Sequence, residues 1–335
     1  MEARLRRRAA ATPHRAAGVT LIELMVALAI GSFLLIGAVS VFVQSRQTFR
    51  VTESVSRLQE NARFALFALE PDVRMAHYWG LTSRTGKIAG QAGPADPPSG
   101  FPVANDCGQN WAVDLETELG GANNGYDWAC AANGGAQPGA DTLIVRRVET
   151  EPVTALEDGT LYVQSARFQD GQLFLGNALP AAFSAATSET HRLVVNGYYV
   201  SPTSSLSTPD NPVPSLRVKK LTGTAAGPRI TDEEVLPGVE DLQIQFGIDT
   251  DALGAANRGA IDAYVNPGDP SLGQPDVAVL AVRIWLRLRT ERPETGFTDT
   301  NAYRYADRDS APPRDGFRRI VVSKTVYVRN ARPPA

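Results

Sequence analysis

The dominant feature of the hydrophobic pattern is an almost unbroken apolar run over residues 19–43. As a helix it is about 37 Å long, enough to cross the hydrocarbon core of a bilayer. Gly31 and Gly37 interrupt it at about 1 kcal/mol each relative to Ala, which a membrane helix tolerates because small residues let helices approach closely. Beyond Gln44 the chain turns polar but keeps one apolar stripe: Val51, Val55, Leu58, Ala62, Ala65 and Leu69, alternately four and three apart. Arg50, Glu53, Arg57, Glu60 and Arg63 fall on the opposite face. The pattern predicts a single helix of about 50 residues, an anchor in its first half and a domain spine in its second. Pro71 predicts its end, or a kink, near Glu70.

Residues 76–140 lose periodicity and fill with Gly, Pro, Asn and Asp, which predicts a long irregular region. From Asp141 the period becomes two. Strands are predicted at 142–148, 160–166, 172–175, 192–200 and 216–221, with Asp170-Gly171 as the turn of a hairpin. The Ser/Pro/Thr-rich stretch 201–214 reads as a surface loop. Leu242, Ile244, Phe246 and Ile248 alternate with Gln243, Gln245 and Gly247, which predicts one buried and one wet face. Val282, Ile284, Leu286 and Leu288 alternate in the same way with Arg283, Trp285, Arg287 and Arg289, and 320–329 reads as the last strand. The fold class expected is α+β.

Charge adds direction. The 335-residue chain is nearly neutral, with a formal net charge of -3, so no electrostatic case for a nucleic-acid surface arises. Arg4, Arg6, Arg7, Arg8 and Arg15 precede the apolar run against one acid, Glu2. Positive charge beside a membrane span stays in the cytoplasm, so everything past about residue 43 is expected outside. His14 lies in the same leader. The two cysteines, Cys107 and Cys130, then face an oxidising compartment, where a disulfide is the expected pairing and two free thiols the alternative. The bridge would close about 24 residues and contribute roughly 3 kcal/mol in the chain-entropy model. Trp111, Tyr126 and Trp128 lie near it, either as a partner-facing patch or, the favoured reading, as a small core around the bridge.

One carboxylate, Glu23, sits inside the apolar run. A charge near the middle of a bilayer costs on the order of 2.5–3.5 kcal/mol even on lenient scales, so it needs a reason. The stretch Gly18-Val19-Thr20-Leu21-Ile22-Glu23 resembles the class III signal, G-F-T-L-I-E, of type IV pilins and type II secretion pseudopilins. Val19 stands where Phe is usual. The resemblance implies that a prepilin peptidase removes residues 1–18 by cutting after Gly18 and methylates the amino group of Val19. It also implies that Glu23 docks onto the N-terminal amine of a neighbouring subunit.

A second stretch, Val235-Leu236-Pro237-Gly238-Val239-Glu240-Asp241-Leu242-Gln243-Ile244-Gln245-Phe246-Gly247, resembles the headgroup of the PilW branch of minor pilins. Together the two resemblances imply a pilin-like fold: a helix over 19–75 with its membrane part near 19–43, a variable disulfide-containing region over 76–140 and a β-sheet headgroup over 141–335. They imply a structural subunit, not an enzyme. It would join other minor pilins and the major pilin in a tip or priming complex for type IV pilus assembly, through the inner-membrane assembly platform and with a possible tip adhesin. Twitching motility and adhesion would follow. The chain would cross the inner membrane once, N-terminus cytoplasmic, before entering the pilus. A J-like type II secretion pseudopilin, or an anchored adhesin or DNA receptor that never polymerises, are the alternatives.

Other candidate chemistry is thin. Asp249, Asp251 and Asp262 surround a glycine-containing loop that could suit Ca2+, but Leu253 and Ala260 fall where an EF-hand places ligands, and a plain hairpin turn is expected. No metal or cofactor is expected. His77 and His191 are read as packed or surface histidines. Arg217, Lys219, Lys220, Arg283, Arg287 and Arg289 are read as a solvated strand face.

Overall fold

The computed structural model describes residues 18–82, 85–176, 178–252 and 254–331. The arginine-rich leader with His14, and Leu253, lie outside the described residues. Helix α1 runs Leu21–Arg74, and the chain divides between Glu53 and Ser54 into two compact units.

In the first unit α1 is exposed from its start through Arg50. No residue of 24–45 is charged, roughly 33 Å of helix. Two of its hydroxyls, deep in the apolar run, are satisfied by their own helix: Ser32 Oγ donates to Ala29 O at 2.9 Å and Ser40 Oγ to Gly37 O at 2.8 Å. That is what a lipid-facing helix requires, since no water is there to serve them.

The second unit carries β1 (Ile88–Ala89), β2 (Leu119–Gly120), β3 (Leu143–Val148), β4 (Leu161–Ala166), β5 (Gly171–Leu175), β6 (Ser188–Ser201) and β7 (Ser215–Thr224). It continues with β8 (Gly227–Pro237), β9 (Val239–Asp249), β10 (Ala263–Val265), β11 (Ala278–Arg289), β12 (Tyr303–Tyr305), β13 (Arg308–Ser310) and β14 (Arg319–Tyr327). An eight-stranded sheet runs β1-β5-β4-β6-β3-β2, with β7 on β6 and β8 on β7. A four-stranded antiparallel sheet runs β10-β9-β11-β14, and β12 and β13 form a separate ribbon. The chain crosses between the two main sheets at Gly238, whose φ of 91° suits only glycine and whose added Cβ would meet Arg289 O at 3.0 Å.

Strand alternation gives the large sheet two packed faces. Leu143, Val145, Tyr198, Val200, Leu216 and Val218 point to a core shared with Leu58, Ala62, Ala65 and Leu69 of α1 and with the four-stranded sheet. Ile144, Val148, Leu193, Val195 and Tyr199 point the other way, into a second core roofed by the irregular region. Trp111 and Trp128 belong to that roof. A Cβ on Gly197 would come within 3.0 Å and 2.7 Å of them, so this close approach requires glycine.

Several expectations change. The helix passes through Pro71 to Arg74, because the proline falls in its final turn, where little helix remains to disturb. The β4–β5 hairpin does not turn at Asp170-Gly171. Its innermost pair is Gln164 with Gln172, and Gly171 pairs with Ile88 in parallel. Strand β8, with its run Thr231-Asp232-Glu233-Glu234, is an addition that polarity had hidden. The face of β9 expected to be wet is covered: Gln243 is 0% exposed and donates to Gly139 O at 2.8 Å, while Asp241 beside it accepts from Tyr305 Oη at 2.6 Å.

Candidate functional site

At the N-terminal end, Gly18 and Val19 lie in irregular chain ahead of the helix, both exposed, so the bond between them is accessible. Thr20 caps the first turn. Its N–H and its hydroxyl both donate to Glu23 Oε2 at 2.9 Å, and Glu23 N donates back to Thr20 Oγ1 at 3.3 Å. This reciprocal bracket is a capping box, Thr-x-x-Glu, which sequence reasoning passed over although its spacing is readable directly. Glu23 Oε1 takes no hydrogen bond among the described residues. The first charge after Glu23 is Arg46, whose guanidinium lies 5.4 Å from the Phe42 ring at the end of the apolar stretch.

In the second unit, the end of α1 is pinned by a buried carboxylate. Asp72 is 6% exposed. It accepts from Arg147 Nη2 at 2.7 Å, Asn196 Nδ2 at 2.6 Å and Tyr198 Oη at 2.6 Å. Burial, reinforced by Asp72, pushes the Tyr198 hydroxyl well above its usual range. Nearby, Lys324 Nζ reaches Glu70 at 2.5 Å and holds the Glu70 carboxyl below the ordinary range.

Cys107 and Cys130 are joined as a disulfide. Trp111, Trp128, Tyr126 and Tyr199 pack in a chain of edge-on and tilted ring contacts beside it. Trp111 and Trp128 are buried, so these rings form a core rather than an open patch. Arg146 on β3 ties the roof down by donating to Trp111 O at 2.8 Å and Thr117 O at 2.5 Å. Full burial lowers its guanidinium to about 10.

Asp249, Asp251 and Asp262 do converge, with carboxylate oxygens within 4.8 Å of one another. Two of them serve the β9–β10 connection: Asp249 accepts from Asp251 N at 2.9 Å and Gly259 N at 2.6 Å, and Asp262 accepts from Thr250 N at 2.7 Å. His191 is buried with Nδ1 2.8 Å from Glu149 O, and His77 lies 3.4 Å from Glu118. The expected solvated basic face is a correction. Arg217 and Lys219 are buried against Asp232 at 2.8 Å and 2.7 Å, Arg287 is buried 3.0 Å from Glu240, and Arg283 stacks 3.6 Å over Tyr264. Acids on β8 and β9 neutralise Arg217, Lys219 and Arg287, while Lys220 stays exposed as expected, so the six residues present no continuous basic strip.

Two family matches fall on these elements. Residues 13–39 match the prokaryotic N-terminal methylation motif, which takes in Gly18, the Thr20–Glu23 bracket and most of the uncharged helix. Residues 197–330 match the type IV pilus-assembly protein W family, PilW, from Gly197 through β14. The chain is similar to type IV pilus-assembly protein W behind a prepilin-type N-terminus. No curated protein and no solved structure matches it. In a PilW-like chain the apolar helix behind a prepilin motif is a single-pass inner-membrane anchor before incorporation into a pilus. Pilin-like proteins of this family are structural subunits.

Proposed function

We propose that this chain is a minor pilin that joins a tip or priming complex for type IV pilus assembly. Prepilin peptidase cuts between Gly18 and Val19, and the amino group of Val19 is methylated. Glu23 then receives the N-terminal amine of a neighbouring subunit, and the headgroup, on the periplasmic side, meets other minor pilins, the major pilin and a tip adhesin. Twitching motility and adhesion depend on the resulting fibre. The observation that carries the reading is the divided carboxylate of Glu23 at the head of an uncharged helix: Oε2 is spent on the cap, and Oε1 is left to a cation. In low dielectric an opposite charge is the partner such an oxygen rewards most.

Mass spectrometry of sheared filaments beside the membrane fraction tests it. A peptide beginning at methylated Val19 is expected in both. Glu23→Val is expected to be processed normally yet fall at least tenfold in the sheared fraction. An intact leader in every fraction, or undiminished incorporation of Glu23→Val, contradicts the reading.

A further inference from the structure

The outer row of β14 is open. Val328 N donates to Leu280 O and Thr290 N to Arg318 O, each at 2.9 Å. Both bonds lie on the register that pairs Ala281 with Tyr327 and Arg289 with Arg319. Bonded and non-bonded residues alternate along an antiparallel pair. Even-numbered residues of β14 therefore bond β11, and odd-numbered ones turn N–H and C=O outward. At the end of the row Arg329 N donates outward to Arg74 O at 2.9 Å. Among the described residues, the outward groups of Val321, Ser323, Thr325 and Tyr327 have no protein partner.

Beside this edge α1 leaves aromatic surface uncovered. Phe64 is 50% and Phe67 69% exposed. With Glu60, Glu70 and Lys324 they line an open groove of about 470 Å³. The Lys324–Glu70 pair joins its two walls, strand and helix. On the helix side of the sheet Val326 is buried, and Ile320 and Val322 pack against the same core as Leu69. The core thus continues to the edge and stops there.

We propose that β14 accepts a β-strand from a different subunit, which extends the four-stranded sheet and covers Phe64 and Phe67. A row of free backbone groups selects an extended segment and nothing else. Its alternate side chains facing α1 must be apolar, with an acidic or hydroxyl residue opposite Lys324. A second copy offers the wrong chemistry. Antiparallel self-pairing centred on Ser323 sets Val322 against Lys324 and brings the two lysines onto one diagonal, and a charge at mid-edge is a known device against such pairing. The partner's being another pilus subunit rests on the reading above; the strand addition itself does not.

The test uses the full chain in cells that make filaments, with a photo-crosslinking residue at Ser323 or, separately, at Thr325. Both positions are expected to capture one other subunit, at sites two residues apart in it, the spacing of a paired strand. Ser323→Pro removes an outward donor and leaves every bond to β11 in place, so it is expected to cut capture at Thr325 at least tenfold with accumulation unchanged. Phe67→Asp, on exposed helix surface, is expected to do the same if the proline variant fails to accumulate. Capture of a second copy of this chain, or capture indifferent to both variants, overturns the proposal. Loss of capture together with an unprocessed leader instead points to failure of the pilin reading.

Discussion

Asp72 is an acid near the C-terminal end of a helix, where the macrodipole disfavours it by about 0.3–1 kcal/mol. Burial adds to that cost, and Arg147, Asn196 and Tyr198 offset both. Asp72→Ala leaves Arg147 beside a void with its charge uncompensated. It is expected to lower stability by about 3–5 kcal/mol, with Asp72→Asn in between. Denaturant unfolding of the full chain in detergent measures this, and a loss below about 1 kcal/mol contradicts the anchoring role. The sequence reading followed the stripe as far as Leu69 and went no further. A polar residue at the next position of the stripe looks like solvent-facing surface, and its partners lie 75, 124 and 126 residues away. The Thr20–Glu23 bracket, though passed over, was readable in the sequence because it is local: a spacing of three residues settles which groups meet.

At the level of elements, alternation located β3, β6, β9, β11 and β14, the last three because each has a distinct apolar side. It misread the other side of β9. Alternation reports that two faces differ in polarity, and says nothing about whether the polar one is open. Here the ribbon residues Tyr305 and Arg308 cover it, with Arg308 Nε 3.3 Å from Asp241. The irregular roof is an element of a different kind, held by the disulfide, by Arg146 and by packed rings rather than by a ladder of backbone bonds. Cys130→Ser is expected to cost about 3 kcal/mol and to loosen the roof ahead of the sheets. Tryptophan fluorescence should then shift red at a lower denaturant concentration than the loss of β-sheet circular dichroism. Coincident transitions in this variant contradict a separately held layer.

For the molecule as a whole, one buried carboxylate, Asp141, and one half-buried, Asp106, set a pH dependence. Burial raises Asp141 to about 7 and Asp106 to about 6, against backbone hydrogen bonds that oppose the shift. The unfolded chain titrates these groups near 4. Between about pH 4 and pH 7 the folded state therefore binds more protons, and stability falls as pH rises through that window. The full chain in detergent should melt at a lower temperature at pH 8 than at pH 5, and Asp141→Asn should flatten the difference. A higher melting temperature at pH 8 contradicts this. The Thr20–Glu23 bracket matters on the same scale, for traffic of whole chains rather than for their shape. A lone chain waiting in lipid already has one oxygen of its only membrane carboxylate satisfied, so waiting is less costly than a bare charge makes it. On the proposed docking, meeting a neighbour then improves the surroundings of the second oxygen alone. The proposal thus makes the well into which the subunit falls shallower, and a subunit in a shallow well can be withdrawn and used again.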